Sequence, residues 1–335
     1  MINAGEVIKF FYRKLPEFGG IDTVTTGDFL NKNYYYRYNK EELFILCQKL
    51  EFLGYLIPYF NPQDPPLVKR YYGSHFIEED ASYGVYDFEV HGFPLIHKRF
   101  SESVIAITPT KIEQEECRIG SAFLMRDNYI ITARHCIAEM KKVQFSGLDT
   151  SKSAIINIWI PNDNRMDLAV VKFQNNPFPN AKQFEIQNGH ILDEIMTMGY
   201  PPVPTFDQIL MAETAKITSE IVVPLKATTG EIIANEKSYL TQQIYLLISA
   251  RIKGGNSGGP VIGRHGRVVG VVTEEIVVDD SNEPKPDTLG FGVVTPAETL
   301  KIFLEECEKG SEQIRDLVKD SGFIMLRDGF SYEKQ

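Results

Sequence analysis

Three short segments of this 335-residue chain carry side chains that can do chemistry, and each sits where an apolar run gives way to a loop. Ile130-Ile131-Thr132-Ala133-Arg134-His135-Cys136 ends a β-rich run on an imidazole. Met166-Asp167-Leu168-Ala169-Val170-Val171-Lys172 opens a strongly apolar run with a carboxylate. Gly254-Gly255-Asn256-Ser257-Gly258-Gly259-Pro260 surrounds a hydroxyl with glycine. Glycines allow a tight turn and leave backbone amides uncovered by side chains, as binding a developing oxyanion requires. That places Ser257 as an exposed nucleophile.

The elements around these segments read as two kinds of structure. From about Ser103 onward, short β-rich runs alternate with turn residues: Ser103–Ile107, Ser121–Leu124, Tyr129–Thr132, Ala154–Ile160, Leu168–Phe173, Ile195–Gly199, Ile209–Ile217, Ile244–Ser249, Val268–Thr273 and Gly290–Val294. About a dozen such runs suit two small antiparallel barrels packed together. An amphipathic helix over Pro296–Cys307, with Leu300, Phe303 and Leu304 inward, closes this part. The amino-terminal stretch differs. Val7, Phe10, Phe11 and Leu15 recur at helical spacing over Ala4–Leu15. Leu43, Leu46, Cys47, Leu50 and Leu53 form a stripe over Lys40–Phe52, with Asn39 as N-cap and Gly54 as stop. Tyr55–Phe60, a Pro-rich turn and Leu67–Tyr72 then read as a hairpin. The boundaries expected are a module over 1–75, a connector over 76–100, the β-rich domain over 101–308 and a peripheral tail over 309–335.

Thr132-Ala133-Arg134-His135-Cys136, Asp167-Leu168-Ala169-Val170-Val171-Lys172 and Gly255-Asn256-Ser257-Gly258-Gly259-Pro260, in that order, resemble the catalytic segments of trypsin-like serine peptidases. The bacterial branch that includes the high-temperature-requirement type is similar to them in the serine segment. The resemblance implies a mainly β, chymotrypsin-like fold of two six-stranded antiparallel barrels with a C-terminal helix. It implies that Ser257 attacks a peptide carbonyl, that His135 takes the proton and returns it to the leaving amine, and that Asp167 holds the imidazole. The Gly255 and Ser257 amides would bind the oxyanion, protein or peptide would be the substrate, and no metal or cofactor is called for. Residues implied as walls of the substrate pocket are Arg251, Lys253, Gly254, Thr273 and Gly292, with Glu274, Glu275 and Gly290 alongside. Arg251 at the pocket base would favour an acidic substrate side chain; as a loop charge it would only be solvated, and Glu274 and Glu275 could equally favour basic substrates or merely line an exposed edge. Asn256 stands where secreted digestive relatives carry an aspartate, so activity without amino-terminal cleavage is expected. Cys117 and Cys136 flank the histidine as a family disulfide does, but two buried thiols are the alternative.

Gly255 to Gly259 also fits the Gly-x-Ser-x-Gly elbow of α/β-hydrolases. That fold needs its histidine after the serine, and only His265 follows, in an expected hairpin turn. The helix–Gly–strand–turn–strand pattern of 1–75 is similar to a winged-helix domain, placed ahead of the peptidase as a small α+β module.

Net charge and composition exclude some classes. The chain is 43% hydrophobic and 24% charged, ordinary for a folded protein. A formal charge of -10 disfavours nucleic acid as a partner. Lys40 and Lys49 in the candidate reading helix are outweighed by Glu41, Glu42 and Glu51, although Lys69 and Arg70 keep a nucleic-acid-sensing, gated peptidase as an alternative. A second alternative is a catalytically silent peptide-binding module of the same fold. The module is expected to contact a regulatory protein partner. No apolar run reaches the roughly 18 residues that span a bilayer, no leader pattern opens the chain, and there are four cysteines. A cytoplasmic location is the expectation.

Overall fold

Helical spacing near the amino terminus and short-period alternation further on give the chain two units, Met1–Ile96 and His97–Gln335. The computed structural model describes residues 2–12, 24–33, 39–65, 68–111, 119–138, 140–201, 223–238, 242–273, 291–319 and 322–332. The expected strand Ile209–Ile217, and Cys117, Glu274, Glu275 and Gly290, lie outside them.

In the first unit, α1 (Ala4–Phe11) begins at Asn3, whose side chain accepts from the Glu6 amide, and buries Val7, Ile8 and Phe11. After β1 (Val24–Thr25) and α2 (Thr26–Asn33), α3 (Lys40–Phe52) is capped by Asn39 and buries Leu43, Leu46, Cys47 and Leu50, the stripe read from sequence. β2 (Leu56–Tyr59) and β3 (Arg70–Gly73) form the hairpin, and β3 lies between β1 and β2. Residues expected as a connector are helical: α4 (Glu78–Tyr83) and α5 (Val85–His91), followed by α6 (Phe93–Phe100). Asp87 of α5 is buried and accepts from the Ala4 amide at 2.7 Å and Asn3 Nδ2 at 2.8 Å. It thus places a carboxylate at the positive end of α1. Tyr86 and Val90 of α5 join the same apolar core.

The second unit is mainly β, as the sequence implied. Its first half is built from β4 (Val104–Lys111), β5 (Gly120–Met125), β6 (Tyr129–Thr132), β7 (Met140–Phe145), β8 (Ile155–Pro161) and β9 (Ala169–Phe173). β10 (Glu194–Gly199), β11 (Lys226–Lys237), β12 (Ile244–Ile248), β13 (Pro260–Gly263), β14 (Val268–Val272) and β15 (Gly292–Pro296) close a six-stranded barrel in the order β10-β11-β12-β15-β14-β13. Its interior is aliphatic, with Ile195, Ile232, Leu246, Ile248, Val261, Val269 and Val294. Next comes α7 (Ala297–Lys309), which buries Leu300, Phe303 and Cys307.

Among the described residues the first barrel does not close on itself. Its strands run β8-β9-β6-β5-β4-β7, leaving β8 and β7 as edges. Strands from the tail cover both: β16 (Ile314–Asp316) pairs with β8, and β18 (Gly329–Tyr332) pairs with β7 and with β17 (Phe323–Leu326). The result is a nine-stranded sheet whose exposed edges are short. The tail is therefore not peripheral, since Phe330 and Leu317 enter the core with Val143, Phe145 and Ile158.

Candidate active site

β6 and β9 are antiparallel neighbours, with Thr132 opposite Ala169. Chain leaving the end of β6 and chain entering β9 therefore emerge together. His135 follows Thr132 by three residues in a 3-10 turn, Arg134–Cys136, and Asp167 precedes Ala169 by two. Strand register thus delivers an imidazole and a carboxylate to the same spot. His135 Nδ1 lies 2.9 Å from Asp167 Oδ2 and 3.0 Å from Oδ1, and the His135 amide donates to Oδ1 at 3.0 Å. A carboxylate only accepts, so Nδ1 carries a proton and Nε2 is the nitrogen left for proton transfer. Asp167 is buried. Burial works against charging His135, but the Asp167 hydrogen bond, the neighbouring Cys136 side chain and the Asp167 charge outweigh it, and the pKa is raised. The pair favours an imidazolium, the species formed when the ring accepts a proton.

Ser257 enters from the other barrel, in the turn that precedes β13. Gly255 and Gly258 have φ of 92° and 81°, the left-handed region that the glycine run was expected to serve. A Cβ on Gly258 would lie 2.3 Å from Ser121 O and from Thr132 Oγ1, and 2.7 Å from the Ala133 amide nitrogen. The turn therefore lies directly against the backbone that leads to His135. Ser121, a buried residue of β5 that the sequence reading missed, fastens it there. Its amide donates to Ser257 O at 2.9 Å and its hydroxyl donates to Gly255 O at 2.6 Å. The same hydroxyl accepts from the Tyr200 amide at 3.0 Å, and Thr132 Oγ1 donates to Ser121 O at 2.7 Å. The local sequence carries no signal for it, since the burial of every β5 residue appears only in the structure.

Ser257 is 5% exposed, less open than the sequence suggested. The amides of Asn256, Gly258 and Gly259 donate to Lys253, Val272 and Asn256 carbonyls at 3.0, 2.8 and 2.8 Å. Those of Gly255 and Ser257 have no acceptor among the described residues. Two donors in one turn thus remain unspent, and they are the two that the resemblance assigned to an oxyanion.

The residues expected to wall the pocket divide into two groups. Arg251, Lys253 and Gly254 lie on an exposed run ahead of the serine, with nothing within 4 Å of a Cβ at Gly254. Thr273 is buried and its amide donates to Val293 O at 3.1 Å. A Cβ on Gly292 would lie 2.3 Å from Ile252 Cδ1, so the Ile252 side chain takes the space there. Cys136, Cys47 and Cys307 are buried free thiols.

The chain is similar to known peptidases. Residues 120–271 match the trypsin-like peptidase domain. A Rickettsia conorii protein described as a probable periplasmic serine endoprotease, DegP-like, is 27% identical over 213 residues, 60% of this chain and 38% of its own length. The Arabidopsis thaliana chloroplastic protease Do-like 2 is 24% identical over 207 residues, 61% of this chain and 30% of its own. A solved structure described as the HtrA-type protease AlgW with tripeptide covers 66% of this chain and 65% of its own, at 20% identity and a TM-score of 0.46. The chain thus spans well under half the length of these curated relatives. The family match begins at residue 120, so the amino-terminal winged-helix resemblance gains no support from it. The cytoplasmic expectation is corrected: relatives from Rickettsia and Pseudomonas are named periplasmic, which points to a non-cytoplasmic location. The low cysteine count misled because, among the described residues, the core is filled by aliphatic side chains and buried free thiols, a composition that does not report compartment.

Proposed function

We propose that this chain, which carries a trypsin-like peptidase domain, is a serine endopeptidase in which Ser257, His135 and Asp167 act as a triad. Ser257 Oγ attacks the substrate carbonyl, His135 Nε2 takes its proton, and Asp167 holds the ring and stabilises the imidazolium. The Gly255 and Ser257 amides receive the oxyanion. His135 then protonates the leaving amine, and water hydrolyses the acyl-enzyme. The observation that carries the reading is the Ser257 turn, held against the His135 strand with those amides unspent, beside the 2.9 Å His135–Asp167 pair. No step needs a metal.

The reading extends to the first unit. Its order α1-β1-α2-α3-β2-β3, with β3 central, supports a winged-helix-like module, and its separate core supports a regulatory role through a protein partner. The test of the central assignment is cleavage of an unfolded protein substrate by the full chain. Wild type should cut it and Ser257→Ala should not. Equal cleavage by both would reject the assignment, and cleavage by neither, with peptide still bound, would favour the silent binding module.

A further inference from the structure

A cavity of about 660 Å³ lies beside the segment that delivers Asp167. Its walls come from four places in the second unit: the end of β8 with the loop to β9, the last turn of α7 through Glu306, the tail ahead of β16, and Gln243 just before β12. Backbone bonds tie these walls together. The Ser311 amide donates to Glu306 O at 3.1 Å where the chain leaves α7, and Gly310 makes that turn with φ of 71°. The Asn162 amide donates to Gln313 O and its Nδ2 to Glu312 O, both at 2.8 Å, while Pro161 pairs with Ile314. The Tyr245 hydroxyl of β12 donates to Arg165 O at 3.4 Å. The pocket is therefore built before anything enters it, and its volume is that of a ligand site rather than a packing gap.

Its lining sets what it can take. Asp163 and Arg165 satisfy each other, since Arg165 Nε and Nη2 each donate to the Asp163 carboxylate at 2.9 Å. Glu306 and Glu312 bring two further carboxylates, so the wall holds three acids to one base. Pro161, Met166 and Ile314 add apolar surface to the same wall. Acids beside apolar surface suit a long side chain that lays its methylenes on the apolar atoms and ends in a cation. Lysine and arginine have that form, and a guanidinium matches a carboxylate with two parallel hydrogen bonds.

We infer that this pocket is a second binding site, distinct from the Ser257 turn, that takes a Lys or Arg side chain of a polypeptide. None of its lining residues belongs to that turn. Met166 lines it and Asp167 follows directly, so an occupant sits one residue from the carboxylate that holds His135. The basic side chain can come from the substrate itself or from a separate regulatory peptide, and its chemistry is the same in both. The site is read by binding and so stands apart from the peptidase reading.

Fluorescein-labelled Gly-Ala-Arg-Ala-Gly and its citrulline counterpart, which keeps the shape and lacks the charge, are titrated onto the full chain carrying Ser257→Ala, by anisotropy. The arginine peptide should bind about fivefold tighter, the worth of two partly exposed ion pairs. Adding Glu306→Gln with Glu312→Gln should bring that ratio towards one. Glu305→Gln is the control: it removes the same charge one residue away, from a carboxylate 3.6 Å from Lys309 that does not line the pocket, and should keep the ratio. Gln313→Arg puts a guanidinium of the chain's own in the pocket and should also lower the ratio, which decides the matter if the double variant fails to fold. A ratio near one before these substitutions overturns the inference, as does a ratio that survives them or one that Glu305→Gln lowers equally. Cleavage of unfolded casein by the chain with Ser257 intact separates the sources. If the substrate fills the pocket, Glu306→Gln with Glu312→Gln should raise KM and leave kcat; if a separate peptide fills it, the unlabelled arginine peptide should change kcat, and the double variant should not respond. Absence of cleavage with the arginine preference intact would count against the peptidase reading alone.

Discussion

Replacing Ser121 by alanine removes one oxygen from the clasp that holds the serine turn against the histidine strand. The hydroxyl donates to Gly255 O at 2.6 Å and accepts from the Tyr200 amide at 3.0 Å. Without it these two groups have only each other, at 3.4 Å. One buried hydrogen bond is exchanged for a poor one, which should cost about 1–2 kcal/mol of stability. The backbone bond from the Ser121 amide to Ser257 O survives, so the turn should loosen rather than detach. A displacement of order 1 Å at a reacting group costs roughly a hundredfold in rate. The second-order rate of Ser257 modification by a fluorophosphonate should therefore fall by about ten- to a hundredfold. Ser153→Ala is the control. That serine is 2% exposed and its hydroxyl also donates to a carbonyl at 2.6 Å, that of Asn175, but it makes no contact with the turn. Chemical denaturation should show similar stability losses for both variants, and only Ser121→Ala should lose modification rate. Equal modification rates in both variants and in wild type would refute the clasp.

The acidic limb of kcat/KM should lie above pH 6.5, because the Asp167 hydrogen bond, against burial, raises the His135 pKa and the base works only when neutral. In Asp167→Asn the limb should move down, with kcat falling by about four orders of magnitude; a limb at or below 6.5 in wild type would contradict the pair's assigned role. The linked stability has a definite sign: a raised histidine pKa stabilises the fold fully below 6.5 and the contribution fades as pH rises through the folded value, so Asp167→Asn should be more destabilising at pH 6 than at high pH. Phe330→Ala should cost about 3–5 kcal/mol by denaturant midpoint, since that ring is wholly buried although it lies in the tail. A cost below 1 kcal/mol would mean that the tail strands do not complete the barrel.

Much of the site could be read in the sequence because its chemistry is compressed into few residues. A histidine ending one apolar run, an aspartate opening another and a serine among glycines are each rare at such junctions, and strand pairing then determines that the first two meet. Ser121 stayed hidden because a serine inside a strand carries no mark of what it will touch. Its partners come from residues 200 and 255, far along the chain. β11 was missed for a different reason: Lys226-Ala227-Thr228-Thr229-Gly230-Glu231 is mostly polar, and its place in the barrel comes from backbone pairing with β10 and β12. The tail strands are too short to show a period, and β16 and β18 exist because β8 and β7 offer them open edges. The surroundings of Arg251 and Gly292 come from side-chain packing, which the local sequence does not show. Arg251 is exposed, and the space at Gly292 is occupied by Ile252.

The claim that three distant side chains form one reaction centre is tested most directly by locating a fluorophosphonate adduct by peptide mapping in wild type and in His135→Gln. The account predicts a single adduct on Ser257 in wild type and its near-complete loss when His135 is replaced. An adduct on another residue, or a Ser257 adduct formed equally fast without the imidazole, would contradict it.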